Sequence, residues 1–269
     1  MLTDVELKSF NEDGYLLRPS VFTADEVDLL KSLSEEQFSR DAPSRVLEKD
    51  GHTVRGVHGS HLVDEAFSRL VRMPRVLAPA VQMLGGPVYV HQFKINAKKA
   101  LRGDIWPWHQ DYVFWNRRDG MTRAQAVNVA VFLDEATEVN GPLLFLPGSH
   151  RIGMLDLERH DGAEDGAEDW ASNLAADLDY AINAPLLAKL TADRDIVPAK
   201  GPAGSVLLFD PLLVHGSGAN MSPSDRRMIL ITYNRSDNIL APVANPRPEF
   251  LAGNDRAPLV ALPETTSLS

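Results

Sequence analysis

The second half of the chain repeats short apolar runs with the two-residue period of β-strands, and this pattern constrains the fold more than any other feature. The run VYVHQFKIN is followed by AVNVAVFLD, GPLLFLPGSH, GSVLLFDPLLVHGS and RMILITYN, each bounded by Gly, Pro, Asn or Ser. Strict alternation in the first run predicts one face with Val88, Val90, Gln92, Lys94 and Asn96 and another with Tyr89, His91, Phe93 and Ile95. Many short strands of this kind predict a β-sandwich or barrel.

Helical signals come before the strands. Two Thr-x-x-Glu segments, starting at Thr3 and Thr23, predict capping boxes at the beginnings of two helices. A third helix is expected over residues 64–84, interrupted or kinked by Pro74 and Pro79 and ending at the glycine pair that follows. Helices followed by strands predict a mainly β fold with helices packed on one side.

Length and composition indicate one domain. A chain of 269 residues, 44% of them hydrophobic, can bury one large core, so we expect residues 1–269 to form a single domain. Residues 151–200 interrupt the strand pattern with an acidic stretch that repeats DGAED and then becomes helix-like. This segment is either a solvated insertion or a lid over a site, because long insertions between strands often carry function.

Charge and residue usage restrict the partners. The net charge is -10 without a basic run, so nucleic acid and anionic membranes are poor candidates as partners. The chain has no cysteine, which excludes disulfides and thiol catalysis and leaves only nitrogen and oxygen ligands for a metal. No secretory leader is recognisable, and no window approaches the roughly 18 apolar residues of a membrane span. We therefore expect a soluble, cytoplasmic protein.

The stretch IWPWHQDYVFW carries a candidate metal site. His109 and Asp111 are two positions apart, so in a strand both would point to one face while Gln110 points away. His215 closes a later apolar run of strand character. Two histidines and one carboxylate form the facial triad of non-haem Fe(II) oxygenases. A His-x-Asp pair alone arises by chance, and either histidine alone could be a core or surface residue.

Arg226 adds a second part of the same chemistry. It follows His215 by eleven positions, across a turn and on the next expected strand. A guanidinium there could bind a carboxylate with two parallel hydrogen bonds, which a 2-oxoglutarate-dependent enzyme needs for its co-substrate. A zinc hydrolase with the same ligands would need a carboxylate base that no HExxH spacing supplies. A non-catalytic binding protein would have no chemical need for all four residues.

Long blocks, in order along nearly the whole chain, identify a family. They are NEDGYLLRPSVFTADEV, VHQFKINAKKA, WHQDYVFWNRRDGM, NGPLLFLPGSH, HGSGANMSPSDRRMILITYN and RPEFLAGNDRAPL. With these blocks the chain resembles the phytanoyl-CoA dioxygenase superfamily of Fe(II)/2-oxoglutarate oxygenases. Within that superfamily it is most similar to ectoine hydroxylases and to bacterial free-amino-acid hydroxylases such as leucine 5-hydroxylases.

The resemblance implies a fold and a set of cofactors. The fold is a double-stranded β-helix, or jelly roll, and the cofactors are Fe(II), 2-oxoglutarate and O2. The implied iron ligands are His109, Asp111 and His215. The residues implied for 2-oxoglutarate are Arg226 and Ser217 at its 5-carboxylate, with Asn96, Asn128 and Trp106 beside it. Asn128 departs from the serine of ectoine hydroxylases.

The resemblance also suggests a substrate class. Gln92 and Trp115 match pocket positions of ectoine hydroxylases, and Arg247 matches the arginine that meets the substrate carboxylate. The departures from that enzyme are Val113, Asn116 and Leu230, and they favour a more apolar lining. We therefore expect hydroxylation of an unactivated C–H bond in a small, aliphatic, leucine-like free amino acid or a derived metabolite, yielding succinate and CO2.

Other reactions remain open at this stage. An ectoine-type or other small-metabolite hydroxylase is the main alternative, and desaturation, epimerisation and ring closure use the same three ligands. Halogenating relatives carry a small residue at the carboxylate position, so Asp111 favours hydroxylation over halogenation.

Overall fold

Two antiparallel sheets form the framework of the computed structural model, which describes residues 1–159 and 178–268. The strands in these ranges are β1 (Tyr15–Arg18), β2 (Arg45–Leu47), β3 (Val54–His58), β4 (Val88–Lys98), β5 (Trp106–His109), β6 (Ala126–Phe132), β7 (Leu143–Phe145), β8 (Val197–Pro198), β9 (Val206–Phe209), β10 (His215–Ser217) and β11 (Arg226–Arg235). The larger sheet has the order β1-β9-β6-β11-β4-β3-β2, and the smaller sheet has the order β5-β10-β7-β8.

The two sheets face each other across an apolar cluster. The larger sheet contributes Phe132 from β6, Phe209 from β9 and Leu230 from β11, and the smaller sheet contributes Phe145 from β7. All four side chains are buried. Two opposed antiparallel sheets with a shared core are the architecture of a jelly roll, so the mainly β fold expected from the sequence is confirmed.

Four helices cover the outer face of the larger sheet, and two lie elsewhere. The helices in the described residues are α1 (Asp4–Asp13), α2 (Ala24–Ser39), α3 (Glu65–Leu70), α4 (Pro74–Leu84), α5 (Asp111–Asp119) and α6 (Ala184–Leu190), with short 3-10 turns at Ser60–Leu62 and Ser149–Ile152. Helices α1 to α4 contribute to the outer cluster, whereas α5 and α6 join a second buried cluster beside β5. Leu30 of α2, Phe67 of α3 and Leu77 of α4 join Phe93 of β4 in one buried cluster. This layer holds the sheet in place and leaves its inner face for the site.

The helix boundaries follow the capping and breaking signals. Both predicted capping boxes are confirmed, with Thr3 and Thr23 as N-caps of α1 and α2. The helix expected over residues 64–84 is divided, because Pro74 lacks an N–H and occupies the start of a new helix, α4. Pro79 lies inside α4 without ending it.

A β-bulge corrects the expected faces of β4. The register between β4 and β11 shifts between Thr232 and Tyr233, which pair with Gln92 and Val90 and leave one residue of β4 without a Cα partner. One extra residue reverses the alternation. Val88 and Val90 therefore join the outer core, while Gln92 and the alternate residues after it turn to the inner face.

The interruption at residues 151–200 is described only in part. Helix α6 and strand β8 lie in its second half, and the DGAED repeat lies outside the described residues. The assignment of this segment as an insertion or lid, and of residues 1–269 as one domain, stays a prediction. Within the described ranges, every helix is too short or too polar to cross a membrane.

Candidate active site

Two neighbouring strands bring two histidines together. His109 ends β5 and His215 begins β10, and the antiparallel register pairs the two residues directly. Their ring centroids are 4.2 Å apart, and both side chains are buried. The pairing of two short strands therefore fixes the spacing of the imidazoles.

Asp111 reaches the same point from a helix. The expectation of a strand running through Asp111 is wrong, because β5 stops at His109 and α5 begins at Asp111 with Gln110 as its N-cap. Asp111 Oδ1 lies 3.5 Å from His109 Nε2, and Asp111 Oδ2 lies 3.7 Å from His215 Nε2. Gln110 points away as expected, since its Nε2 donates to the carbonyls of Gly153 and Leu212.

Backbone carbonyls orient both imidazoles. His109 Nδ1 lies 2.6 Å from Pro107 O, and His215 Nδ1 lies 2.9 Å from Leu213 O. A carbonyl can only accept, so each Nδ1 carries the proton and each Nε2 keeps its lone pair. Burial, followed by the neighbouring His109, lowers the pKa of His215 to about 4, so that His215 is neutral at neutral pH. Both rings therefore have the tautomer that a metal ligand requires.

The carboxylate of Asp111 completes the donor set. Burial alone would raise its pKa, but the charge of Lys94 and the proximity of His215 outweigh burial and hold the pKa well below its usual range. Ligand atoms of the three residues all lie within 4.8 Å of one another. Two imidazoles and one carboxylate, without sulfur, fit Fe(II).

These three residues lie in the wall of a pocket of about 710 Å³, counting its open mouth. The structure places Asn96, Trp106, Ser217 and Arg226 in its lining, together with Gln92, Trp115 and Arg247. Asn128 lies behind the lining and donates to Asp111 Oδ2 at 2.8 Å. A contact between Asn128 and a co-substrate stays a prediction.

One part of the pocket carries unpaired polar atoms. Arg226 is 3% exposed, and its Nη2 donates to Gly141 O at 2.5 Å while its Nε has no hydrogen-bond partner among the described residues. The hydroxyl of Ser217 also has none there. Burial lowers the pKa of Arg226 to about 10, so the guanidinium remains charged at neutral pH. A buried cation beside a buried hydroxyl fits the carboxylate of 2-oxoglutarate.

Arg247 is held by a buried carboxylate. Its Nε and Nη2 donate to the two oxygens of Asp119, both at 2.6 Å, and His91 Nε2 lies 2.9 Å from Asp119 Oδ2. This contact uses the side of the guanidinium and leaves its Nη1 end available to the pocket. Asp119 and His91 were not expected from the sequence, since Asp119 and Arg247 are 128 positions apart.

Gln92 and Lys94 lie near Arg247 on the inner face of β4. Gln92 Nε2 donates to Leu251 O at 2.9 Å, so its Oε1 is free to accept a hydrogen bond. Lys94 also lines the pocket, and its charge helps to lower the pKa of Asp111. Alternation with Gln92 and Asn96 was the signal that could have identified Lys94.

Only one of the three departures from ectoine hydroxylases lies in the pocket. Leu230 is part of the lining, whereas Val113 is buried in a cluster beside the pocket. Asn116 donates to the backbone of Met121 and does not line the pocket. The case against ectoine as the substrate is therefore weaker than the sequence suggested.

Comparisons with known proteins agree with this geometry. A family model described as phytanoyl-CoA dioxygenase (PhyH) matches residues 10–228. The chain is 39% identical to an L-proline trans-4-hydroxylase of Streptomyces griseoviridis over 259 residues, covering 96% of this chain and 95% of the relative. It is 34% identical to an ectoine dioxygenase of Bordetella parapertussis, covering 92% of this chain and 81% of the relative.

A solved structure extends the likeness to three dimensions. The crystal structure of EctD from S. alaskensis with 2-oxoglutarate and 5-hydroxyectoine matches with a TM-score of 0.83 and 30% identity, covering 97% of this chain and 87% of that one. The same protein with bound Fe matches with a TM-score of 0.80. The arrangement of strands and helices is thus one that another chain uses to hold iron and 2-oxoglutarate.

Proposed function

The chain belongs to the phytanoyl-CoA dioxygenase (PhyH) family of iron- and 2-oxoglutarate-dependent oxygenases, and from this membership we propose that it hydroxylates an unactivated C–H bond of a small aliphatic L-amino acid. The observation that carries the proposal is a single pocket with the three metal ligands in its wall, Arg226 in one part, and Arg247 with Gln92 in another. L-proline and leucine-like amino acids are the first substrates to test, because the relative with 39% identity is an L-proline trans-4-hydroxylase.

The metal and the co-substrate are assigned to the residues that fit them. His109, Asp111 and His215 would hold Fe(II), and Arg226 and Ser217 would bind the 5-carboxylate of 2-oxoglutarate. When bound, iron and 2-oxoglutarate supply the activation of O2, with succinate and CO2 as products. The chain's own contribution is to fix the ligands, to bind both carboxylates and to keep water from the reacting C–H bond.

An amino acid matches the polar groups near Arg247. The free end of the Arg247 guanidinium can donate two parallel hydrogen bonds to a substrate carboxylate. The amide orientation of Gln92, fixed by Leu251 O, presents an oxygen that can accept from the substrate ammonium. Arg247 as a donor for the carboxylate and Gln92 as an acceptor for the ammonium therefore support recognition of a zwitterion.

The remaining lining supports an aliphatic side chain. Phe114, Trp115, Leu178 and Leu230 give the pocket apolar walls close to the metal ligands. An ectoine-type substrate is the second candidate, because the 34% identical relative is an ectoine dioxygenase and two of the three departures from it lie outside the pocket.

The test uses the iron-loaded protein with 2-oxoglutarate, O2 and a panel of L-proline, L-leucine and ectoine, with mass spectrometry for one added oxygen. We expect an oxygenated amino acid with an equal amount of succinate. Oxygenation of ectoine alone would favour the second candidate. No consumption of 2-oxoglutarate with iron and O2 present would refute the proposed function.

Arg247→Ala tests the substrate assignment. We expect binding of the amino acid to weaken about 10- to 100-fold, because a charged hydrogen-bonded contact is lost, while binding of 2-oxoglutarate stays within about twofold. Arg194→Ala, which removes an arginine that does not line the pocket, is the control. Equal loss of binding of both ligands in Arg247→Ala would contradict the assignment.

The cytoplasmic location expected from the sequence stays a prediction.

A further inference from the structure

A fully buried amide contacts the proposed metal-binding carboxylate from behind. Asn128 lies in the middle of β6 with no exposed surface, and its Nδ2 donates to Asp111 Oδ2 at 2.8 Å. On the next strand, Thr232 is its direct Cα partner. The Thr232 hydroxyl donates to Asn128 Oδ1 at 2.7 Å and is 1% exposed. The three side chains thus form one chain of donors that ends at the carboxylate.

The charge of Asp111 and the hydroxyl of Thr232 together fix the orientation of this amide. With the amide reversed, its carbonyl oxygen would face a carboxylate oxygen, and two buried acceptors would meet without a proton between them. The observed orientation gives Asp111 a donor and gives Asn128 Oδ1 the proton of Thr232. Because all three side chains are buried, water is a poor substitute for either hydrogen bond.

The contact distinguishes the two oxygens of Asp111. Oδ2 accepts the N–H of Asn128, whereas Oδ1 is the oxygen nearer to His109 Nε2, at 3.5 Å. Outer partners of this kind commonly orient metal-binding carboxylates and histidines. Asn128 lies outside the pocket lining, and it contacts Asp111, the proposed metal ligand, from behind.

We propose that Asn128 and Thr232 are positioning residues for the metal: Asn128 holds Asp111 Oδ2 and so presents Oδ1 to the ion, and Thr232 sets the orientation of Asn128. This assignment rests on the proposed metal site at His109, Asp111 and His215. It differs from the role that the family resemblance implies, in which Asn128 lies beside 2-oxoglutarate. The two roles make different predictions for metal binding in the absence of co-substrate.

The experiment measures binding of Mn(II) to the full chain without 2-oxoglutarate, by titration calorimetry and by the electron paramagnetic resonance signal of free Mn(II). We expect Asn128→Ala to bind Mn(II) about 10- to 100-fold more weakly than the wild type. Thr232→Val keeps the shape of the side chain but removes the hydroxyl, and we expect about 3- to 10-fold weaker binding. Thr232→Ser retains the hydroxyl and is the matched control, expected to stay within about twofold of the wild type.

The outcomes separate this inference from the proposed function. Wild-type protein that binds no Mn(II) would count against the metal site and the proposed function together. Wild-type binding with unchanged affinity in both Asn128→Ala and Thr232→Val would overturn the positioning role alone. If Asn128→Ala does not fold, as judged by circular dichroism, Thr232→Val against Thr232→Ser decides. A change in 2-oxoglutarate binding without a change in Mn(II) binding would favour the role implied by the resemblance.

Discussion

The buried ion pair between Asp119 and Arg247 allows a prediction that joins stability to substrate binding. Replacing Asp119 with Asn keeps the shape of the side chain but removes the charge that faces the guanidinium. Both oxygens of Asp119 accept from Arg247 at 2.6 Å, and the two side chains are 1% and 10% exposed. The substitution leaves a largely buried cation without its partner.

The magnitude follows from the pKa of Asp119. Burial alone would raise it, but Arg247 and His91 outweigh burial and lower it from 3.8 to about 2, which corresponds to about 2 kcal/mol of stabilisation of the folded state at neutral pH. Breaking a buried pair by removing one partner typically costs about 3–5 kcal/mol, because the remaining charge is also left unpaired. We therefore expect Asp119→Asn to lower the free energy of unfolding by about 2–5 kcal/mol at pH 7.

The pH dependence has a defined sign. The folded-state pKa lies below the unfolded one, so the stabilisation is complete above pH 3.8 and is lost as the pH falls through about 2. Urea denaturation should therefore give a difference between wild type and variant that is constant from neutral pH to about pH 4 and narrows below it. Asp237→Asn, at an exposed pair with Arg235, is the matched control and should show no such difference.

The same variant should weaken substrate binding. Without Asp119, the guanidinium of Arg247 loses the contact that fixes its direction, and misplacement by about 1 Å can cost about 100-fold in rate. We expect kcat/KM for the amino acid substrate to fall about 10- to 100-fold while 2-oxoglutarate affinity is unchanged. If Asp119→Asn destabilises the protein no more than Asp237→Asn and leaves kcat/KM unchanged, the reasoning about this pair is refuted.

Two further predictions concern the basic groups of Arg226 and His61. Arg226→Met should weaken 2-oxoglutarate binding about 10- to 100-fold in titration calorimetry, because a charged hydrogen bond is lost. Binding of the amino acid substrate should change less, and an equal loss of both would contradict the role of Arg226 in binding 2-oxoglutarate. His61 stacks on Phe93 with ring centroids 5.1 Å apart, and burial lowers its pKa from 6.5 to about 4. Stability that depends on neutral His61 is complete above pH 6.5 and is lost as the pH falls toward 4, so His61→Phe should unfold with a weaker pH dependence in that window; a variant with an unchanged slope would exclude His61 as the cause.

The sequence predicted the parts of the site that are close together in the chain. His109 and Asp111 are two positions apart, and His215 is followed by Arg226 across one turn. Strand pairing brings these two stretches together, so spacing and residue type indicated candidate ligands, and the family resemblance supplied the full set. Such short patterns can be recognised in the sequence because each lies within one or two neighbouring strands or helices.

The sequence could not predict features that depend on distant pairing. The bulge between Val90 and Gln92 arises from the fit of β4 against β11, and alternation alone assumes an unbroken register. The helix beginning at Asp111 was missed because the apolar residues that follow it suit a strand as well as a buried helix. The partners of Asn128 and Arg247 come from other elements, and no local pattern indicates them.

Helix α5 links a residue of the proposed metal site to the residue that anchors Arg247. Asp111 is its first residue and Asp119, which anchors Arg247, is its last. Eight steps along a helix span about 12 Å, and one added or deleted residue would shift the anchor by about 1.5 Å and turn it by about 100°. The length of α5 therefore fixes the separation between Asp111, a ligand of the proposed metal site, and Asp119, the anchor of the arginine proposed to bind the substrate carboxylate.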